Sequence, residues 1–146
     1  MFTLDDIDAQ LDELQFETFD QEAAYALGTL AAEIVREREL ALAVQIVIGD
    51  HIVYKAALGG VEEQTTSWLR RKSNVAKREK TASLAVRLRE EAAGNELEIN
   101  DEFAVSGGSF PLIVGGEIIG TITGSGEPDV VDHDVVTSAL RSYLAN

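Results

Sequence analysis

Leu4, Ile7, Leu11 and Leu14 return every three or four residues through a stretch otherwise rich in Asp, Glu and Gln, which predicts an amphipathic helix over residues 4–15. A helix this short does not hold itself in water, so its apolar stripe must dock on something. A second stripe of Ala24, Leu27, Leu30, Ala31, Ile34 and Val35 predicts another helix. Thr18 or Asp20 is its cap, with Gln21 three after Thr18 as in a capping box, and Arg36 and Arg38 suit the negative end of its dipole. The period then changes. ALAVQIVI at 41–48 and HIVYKAAL at 51–58 are β-branched runs joined by Gly49-Asp50, a two-residue hairpin signal, and Gly59-Gly60 closes the pair. Residues 62–93 predict one long helix, or two broken near Thr81 to Ser83, stopping at Gly94. PLIV and EIIGTIT flank Gly115-Gly116 as a second hairpin, and Glu127-Pro128-Asp129 opens a last helix with Pro128 in its first turn and Val131, Val135, Leu140 and Tyr143 near one face. The order α-α-β-β-α-β-β-α, with local hairpins instead of crossovers, predicts an α/β (α+β) domain. It is a single unit over 1–146 with an antiparallel sheet flanked by helices and residues 1–15 as a helical arm.

Charge changes this picture more than composition does. The 146 residues are 45% hydrophobic, enough for one core, and the absence of cysteine excludes disulfides, thiolate nucleophiles and Cys-based metal sites. A formal net charge of −14 argues against nucleic acid or an anionic membrane as partner, since both are bound by Lys and Arg. The first residues lack the basic start and apolar run of a signal peptide, and no stretch has the ~20 apolar residues of a membrane span, so the expectation is a soluble cytoplasmic protein. The charges are segregated. Asp5, Asp6, Asp8, Asp12, Glu13, Glu17, Asp20 and Glu22 precede any Lys or Arg, whereas eight of the twelve basic residues lie between Arg70 and Arg89.

The glycines do not make a nucleotide loop. Gly124-Ser125-Gly126 continues as Glu127-Pro128-Asp129, without the third glycine of a dinucleotide fingerprint and with acids where phosphate would sit. Gly107-Gly108-Ser109 forms a second small-residue loop, a matching floor if the fold brings the two together.

Gly107-Gly108-Ser109-Phe110-Pro111, Gly116, Ile118-Ile119-Gly120, Ile122 and Ser125-Gly126 resemble the signature hairpin of the GlcG/HbpS-like proteins, the haem-degrading domain family. Phe16, Phe19-Asp20, the helix to Arg38, Trp68 with Arg71-Lys72 and Asn74, and Asp132-His133 through Tyr143-Leu144 resemble its small uncharacterised single-domain branch. The resemblance implies a profilin-like fold, a homo-oligomer, and haem or a related tetrapyrrole as candidate ligand. Members often carry aromatic-Gly-His-Ser-Ser where this chain has Glu79-Lys80-Thr81-Ala82-Ser83. Only Ser83 matches, so a site built on that histidine does not carry over.

Two histidines remain as imidazole donors. His51 reads most simply as an exposed turn residue, and His133, between Asp132 and Asp134, as a solvated one inclined to protonation; the alternative for each is a ligand role, and their spacing supports no zinc site. Ser106, Ser109, Thr123 and Ser125 lack a nucleophile elbow, and Glu98, Asp101 and Glu102 read as a solvated acidic loop. The basic run supports a solvated face or two sharper readings. In one, Trp68, Arg71, Lys72, Gly107, Gly108, Ser109, Ser125, Gly126 and His133 border a pocket for a small anionic ligand. In the other, favoured by the charge segregation, the acidic arm of one subunit lies across the basic helix of its neighbour. The functional expectation is therefore a non-enzymatic oligomer binding a small anion such as haem. The alternatives are an enzyme of unidentified reaction using Ser125, His133 and Arg71, and an interaction protein docking an acidic partner on residues 70–89.

Overall fold

Thr3 starts the first helix, α1 (Leu4–Glu13), through a reciprocal box: its Oγ1 accepts from Asp6 N at 3.1 Å while its own N donates to Asp6 Oδ2 at 2.8 Å. This computed structural model describes residues 2–146. Helix α2 (Gln21–Glu37) is capped by Asp20, whose Oδ1 accepts from Ala23 N at 2.9 Å, so the Thr18–Gln21 box is not the device used. Of the two forms expected over residues 62–93 the broken one is present, as α3 (Thr66–Glu79) and α4 (Ser83–Ala92), preceded by a short 3₁₀ turn at Glu63–Thr65. Lys80 ends α3 in the left-handed region at φ 56°, a conformation unfavourable for a residue with a Cβ, and thereby turns the chain. The last helix, α5 (Asp129–Ala145), begins just after Pro128, which occupies the cap and not the first turn.

Strands β1 (Leu42–Ile48), β2 (His51–Leu58), β3 (Ser109–Val114) and β4 (Glu117–Ser125) form one antiparallel sheet in the order β2-β1-β4-β3. Both hairpins are local. They join through β1 and β4, which pair Ile46 with Ile122 and Val44 with Gly124. Gly120 lies against Val47 O and Gly28 against the Tyr54 ring, so neither has room for a Cβ. Strand alternation then makes two unlike faces. Leu42, Val44, Ile46, Phe110, Leu112 and Ile122 join Leu27, Val35, Val135 and Leu140 of α2 and α5 in the main core. On the other face Thr121 and Thr123 meet hydroxyls, Ser73 Oγ of α3 at 2.5 Å and Ser109 Oγ at 2.9 Å. The result is the expected profilin-like sheet flanked by helices.

Helix α1 does not wait for a neighbouring subunit. Ile7 and Leu14 are fully covered within the same core, Gln10 bonds His133, and Glu13 pairs with Arg141 at 3.0 Å, so the stripe that suggested an intersubunit arm is satisfied by its own chain. The basic run is likewise engaged internally: Lys77 with Asp50, Arg78 with Glu98, and Arg87 with Asp129 and Glu91.

Candidate functional site

Helix α3 carries Leu69, Lys72, Ser73 and Ala76 on its inward face, so a lysine enters the interior at a position the helical period assigns to the core. On α5, Asp132 shares a face with Val135, Val136 and Ala139. The two charged groups meet where the glycine loops close. Lys72 Nζ donates to Asp132 Oδ2 at 3.0 Å and to Gly124 O at 3.1 Å, and Asp132 Oδ1 accepts from Glu127 N at 3.1 Å. The side chains are 3% and 1% exposed. Burial dominates both partners: it lowers the Lys72 pKa and raises that of Asp132 to about 6, against the mutual attraction that pulls the other way.

The loops that frame this pair do come together. Gly124 N donates to Gly108 O at 2.9 Å, and Gly107 N donates to Asp129 Oδ2 at 2.8 Å. Gly108, at φ 132°, lies against Gly124 O, Asp132 and Lys72 Nζ, so only glycine fits. A pocket of about 290 Å³ opens beside them, lined by Thr65, Trp68, Lys72, Ser106, Ser125, Gly126, Glu127 and Asp132. Of the sequence-predicted residues it gathers Trp68, Lys72, Ser125 and Gly126, with Gly108 behind the lysine. Ser109 is buried under β4, where its N–H donates to Ser83 Oγ at 3.0 Å. Arg71 stacks over Trp68 at 4.4 Å and donates to Asn100 O at 3.1 Å, and it does not line the pocket.

His133 corrects its sequence reading. It is fully buried, its Nε2 is 2.8 Å from Gln10 Oε1, its ring meets Phe2 edge-on at 4.6 Å, and its Nδ1 has no partner among the described residues. Burial pushes its pKa down to about 4, so it is neutral and lies between α1 and α5 instead of in solvent. His51 is exposed at the start of β2, as expected of a turn residue. Glu98, read as solvated, is held well below the usual carboxylate range by its hydrogen bond from Arg78.

A second concavity, about 620 Å³, lies between α3 and the open face of β1 and β2. Lys55, Arg70 and Lys77 line it against Asp50 and Glu102, and Gln45, Thr66, Ser67, Ser73 and Asn74 add polar groups beside Val47 and Ile52. Cations outnumber acids there, whereas the Lys72 pocket sets a single lysine against the two acidic residues Asp132 and Glu127. Sequence reasoning missed Asp132, Lys55 and the groove. The period of α5 marks Asp132 as inward, but no local signal places Lys55 opposite Arg70.

Residues 19–141 match the family described as haem degrading protein HbpS-like. A UPF0303 protein of Rhizobium etli is 40% identical over 152 residues, covering 98% of this chain and 93% of the relative. Among solved structures, the Ybr137w protein superposes with a TM-score of 0.89 at 20% identity, covering 99% of this chain and 90% of that one. A structure described as a PduOC:heme complex superposes with a TM-score of 0.74 at 18% identity, covering 86% and 94%.

Proposed function

The chain belongs to the HbpS-like haem-degrading protein family, and from that premise we propose that it is a ligand-binding protein whose groove between α3 and β1–β2 takes an anionic, carboxylate-bearing ligand. One observation carries the reading: in a protein of net charge −14, this groove brings Lys55, Arg70 and Lys77 together against two acids. Arg70 offers the planar guanidinium that suits a carboxylate, and Val47 and Ile52 supply apolar surface for the body of the ligand. The Lys72 pocket, predicted for the anion, suits it less, because its lining holds a single cation, already bonded to Asp132, beside a second acidic residue, Glu127.

Haem is the ligand suggested by the relatives, and the groove fits only part of it. Its propionates find cations. Its iron finds no imidazole, because neither histidine lines the groove and His133 is enclosed with Nε2 engaged by Gln10. No iron chemistry is therefore assigned to these residues. The reading includes a cytoplasmic homo-oligomer. β2 lies at the sheet edge with Ile52 half exposed, a surface suited to self-association, and a cysteine-free chain suits a reducing compartment.

The test is a titration with hemin and with iron-free protoporphyrin, followed by the Soret band, on wild type and Arg70→Glu. Saturable binding of both porphyrins, weakened about tenfold or more by the charge reversal, is expected from loss of a charge-assisted hydrogen bond. Unsaturable change, or binding indifferent to Arg70→Glu, refutes the groove. His51→Ala and His133→Ala are expected to leave the Soret position unchanged.

A further inference from the structure

We propose that Lys72 is an amine nucleophile, and that its pocket takes a small uncharged hydroxyaldehyde or hydroxyketone as an imine. The site is separate from the α3 groove and does not depend on the anion reading.

The geometry of the nitrogen comes first. Among the described residues Lys72 Nζ has two hydrogen-bond acceptors, Asp132 Oδ2 at 3.0 Å and Gly124 O at 3.1 Å. A neutral amine has two N–H bonds and one lone pair, so these two partners leave the lone pair free once the nitrogen has lost its proton. A Cβ at Gly108 would stand 3.1 Å from the nitrogen, so the glycine there keeps a side chain from crowding it. Burial lowers the Lys72 pKa and raises that of Asp132 to about 6, which eases the loss of the proton that imine formation requires and leaves a carboxyl group able to exchange a proton near neutrality.

The lining selects the ligand. The lining holds Glu127 and no cation besides Lys72, which disfavours carboxylates and phosphates, so the carbonyl compound is uncharged. The hydroxyls of Thr65, Ser106 and Ser125 match hydroxyl groups on a short chain, Trp68 gives one flat wall, and about 290 Å³ limits the ligand to a few carbons. In the reaction the Nζ lone pair attacks the carbonyl carbon, the C–N bond forms, and the carbonyl oxygen takes up a proton. Loss of that oxygen as water then leaves a C=N bond, with Asp132 relaying protons from the nitrogen to the departing hydroxyl. One aldehyde and one amine give one imine and one water, with no oxidant or reductant.

The experiment treats the native protein with glyceraldehyde and borohydride, which delivers hydride to the imine and fixes it as a secondary amine, and locates the adduct by peptide mass spectrometry. Lys72 is expected to be modified at least tenfold faster than Lys55, Lys77 and Lys80, with the preference lost when the protein is unfolded in urea. Lys72→Arg keeps a cation for Asp132 and is expected to lose the adduct. The wild-type site ratio stands on its own should that variant fold poorly. Modification confined to exposed lysines, or no adduct on Lys72, overturns the proposal. Porphyrin binding at Arg70 is read separately and is unaffected by either result.

Discussion

His133 links the stability of the N-terminal helix to pH, and the size of the effect follows from its burial. The folded protein holds the ring neutral, with a pKa near 4 in place of 6.5. Between those values the unfolded chain takes up a proton that the folded chain refuses, so stability falls as pH drops from about 6.5 to about 4, by about 3 kcal/mol in all at ~1.4 kcal/mol per unit. Below about 4 both states are protonated and the loss stops. Asp132 acts in the opposite sense. Its pKa is raised from 3.8 to about 6, so the folded state keeps a proton that the unfolded state releases, and acidification over the same range restores a similar amount. These two contributions largely cancel in the wild-type curve, and the informative quantity is the difference between wild type and His133→Gln. The variant retains a donor for Gln10 but does not titrate. Urea unfolding followed by Trp68 fluorescence at pH 7, 6, 5 and 4 measures it. The stability advantage of wild type is expected to shrink by about 3 kcal/mol across the series. A difference that stays constant with pH would refute the assignment of His133 as a buried neutral group.

Ile7→Ala is expected to cost about 3 kcal/mol, because a fully buried side chain between α1 and the main core leaves a cavity; calorimetry showing a wild-type melting temperature would mean that α1 is not docked as described. Deleting residues 1–15 is expected to destabilise the fold by exposing His133 and the core beneath Leu14, and light scattering distinguishes this from loss of an intersubunit arm. Lys72→Met is expected to destabilise by about 3–5 kcal/mol by stranding Asp132, while the double change with Asp132→Leu recovers much of the loss. Additive losses in that double-mutant cycle would show that the two groups do not interact.

The hairpins were legible because Gly49-Asp50 and Gly115-Gly116 separate β-branched runs, and turn chemistry is local. The helical stripes were legible for the same reason, down to the break before Ser83. The pocket was legible in fragments: Trp68, Lys72, Ser125 and Gly126 each belong to a recognisable loop or helix, but their shared cavity depends on β1 pairing with β4, a contact between distant hairpins. By its charge Lys72 belongs to a basic face or to the anion pocket beside Trp68, whereas its spacing with Leu69 and Ala76 places it inside. His133 was misread in the same way, its acidic neighbours suggesting solvent while α1 and α5 enclose it.

By itself the sequence determined the elements, the antiparallel character of the sheet, the absence of thiol chemistry and the segregation of charge, because periodicity, turn residues and composition act over a few positions. Only the tertiary structure decided which charges are spent. It paired Lys72 with Asp132 away from water, held α1 against its own chain, and gathered Lys55, Arg70 and Lys77, the last of them paired with Asp50, around one groove. Desolvation and long-range pairing set those outcomes, and both depend on residues that are near in space and far apart along the chain.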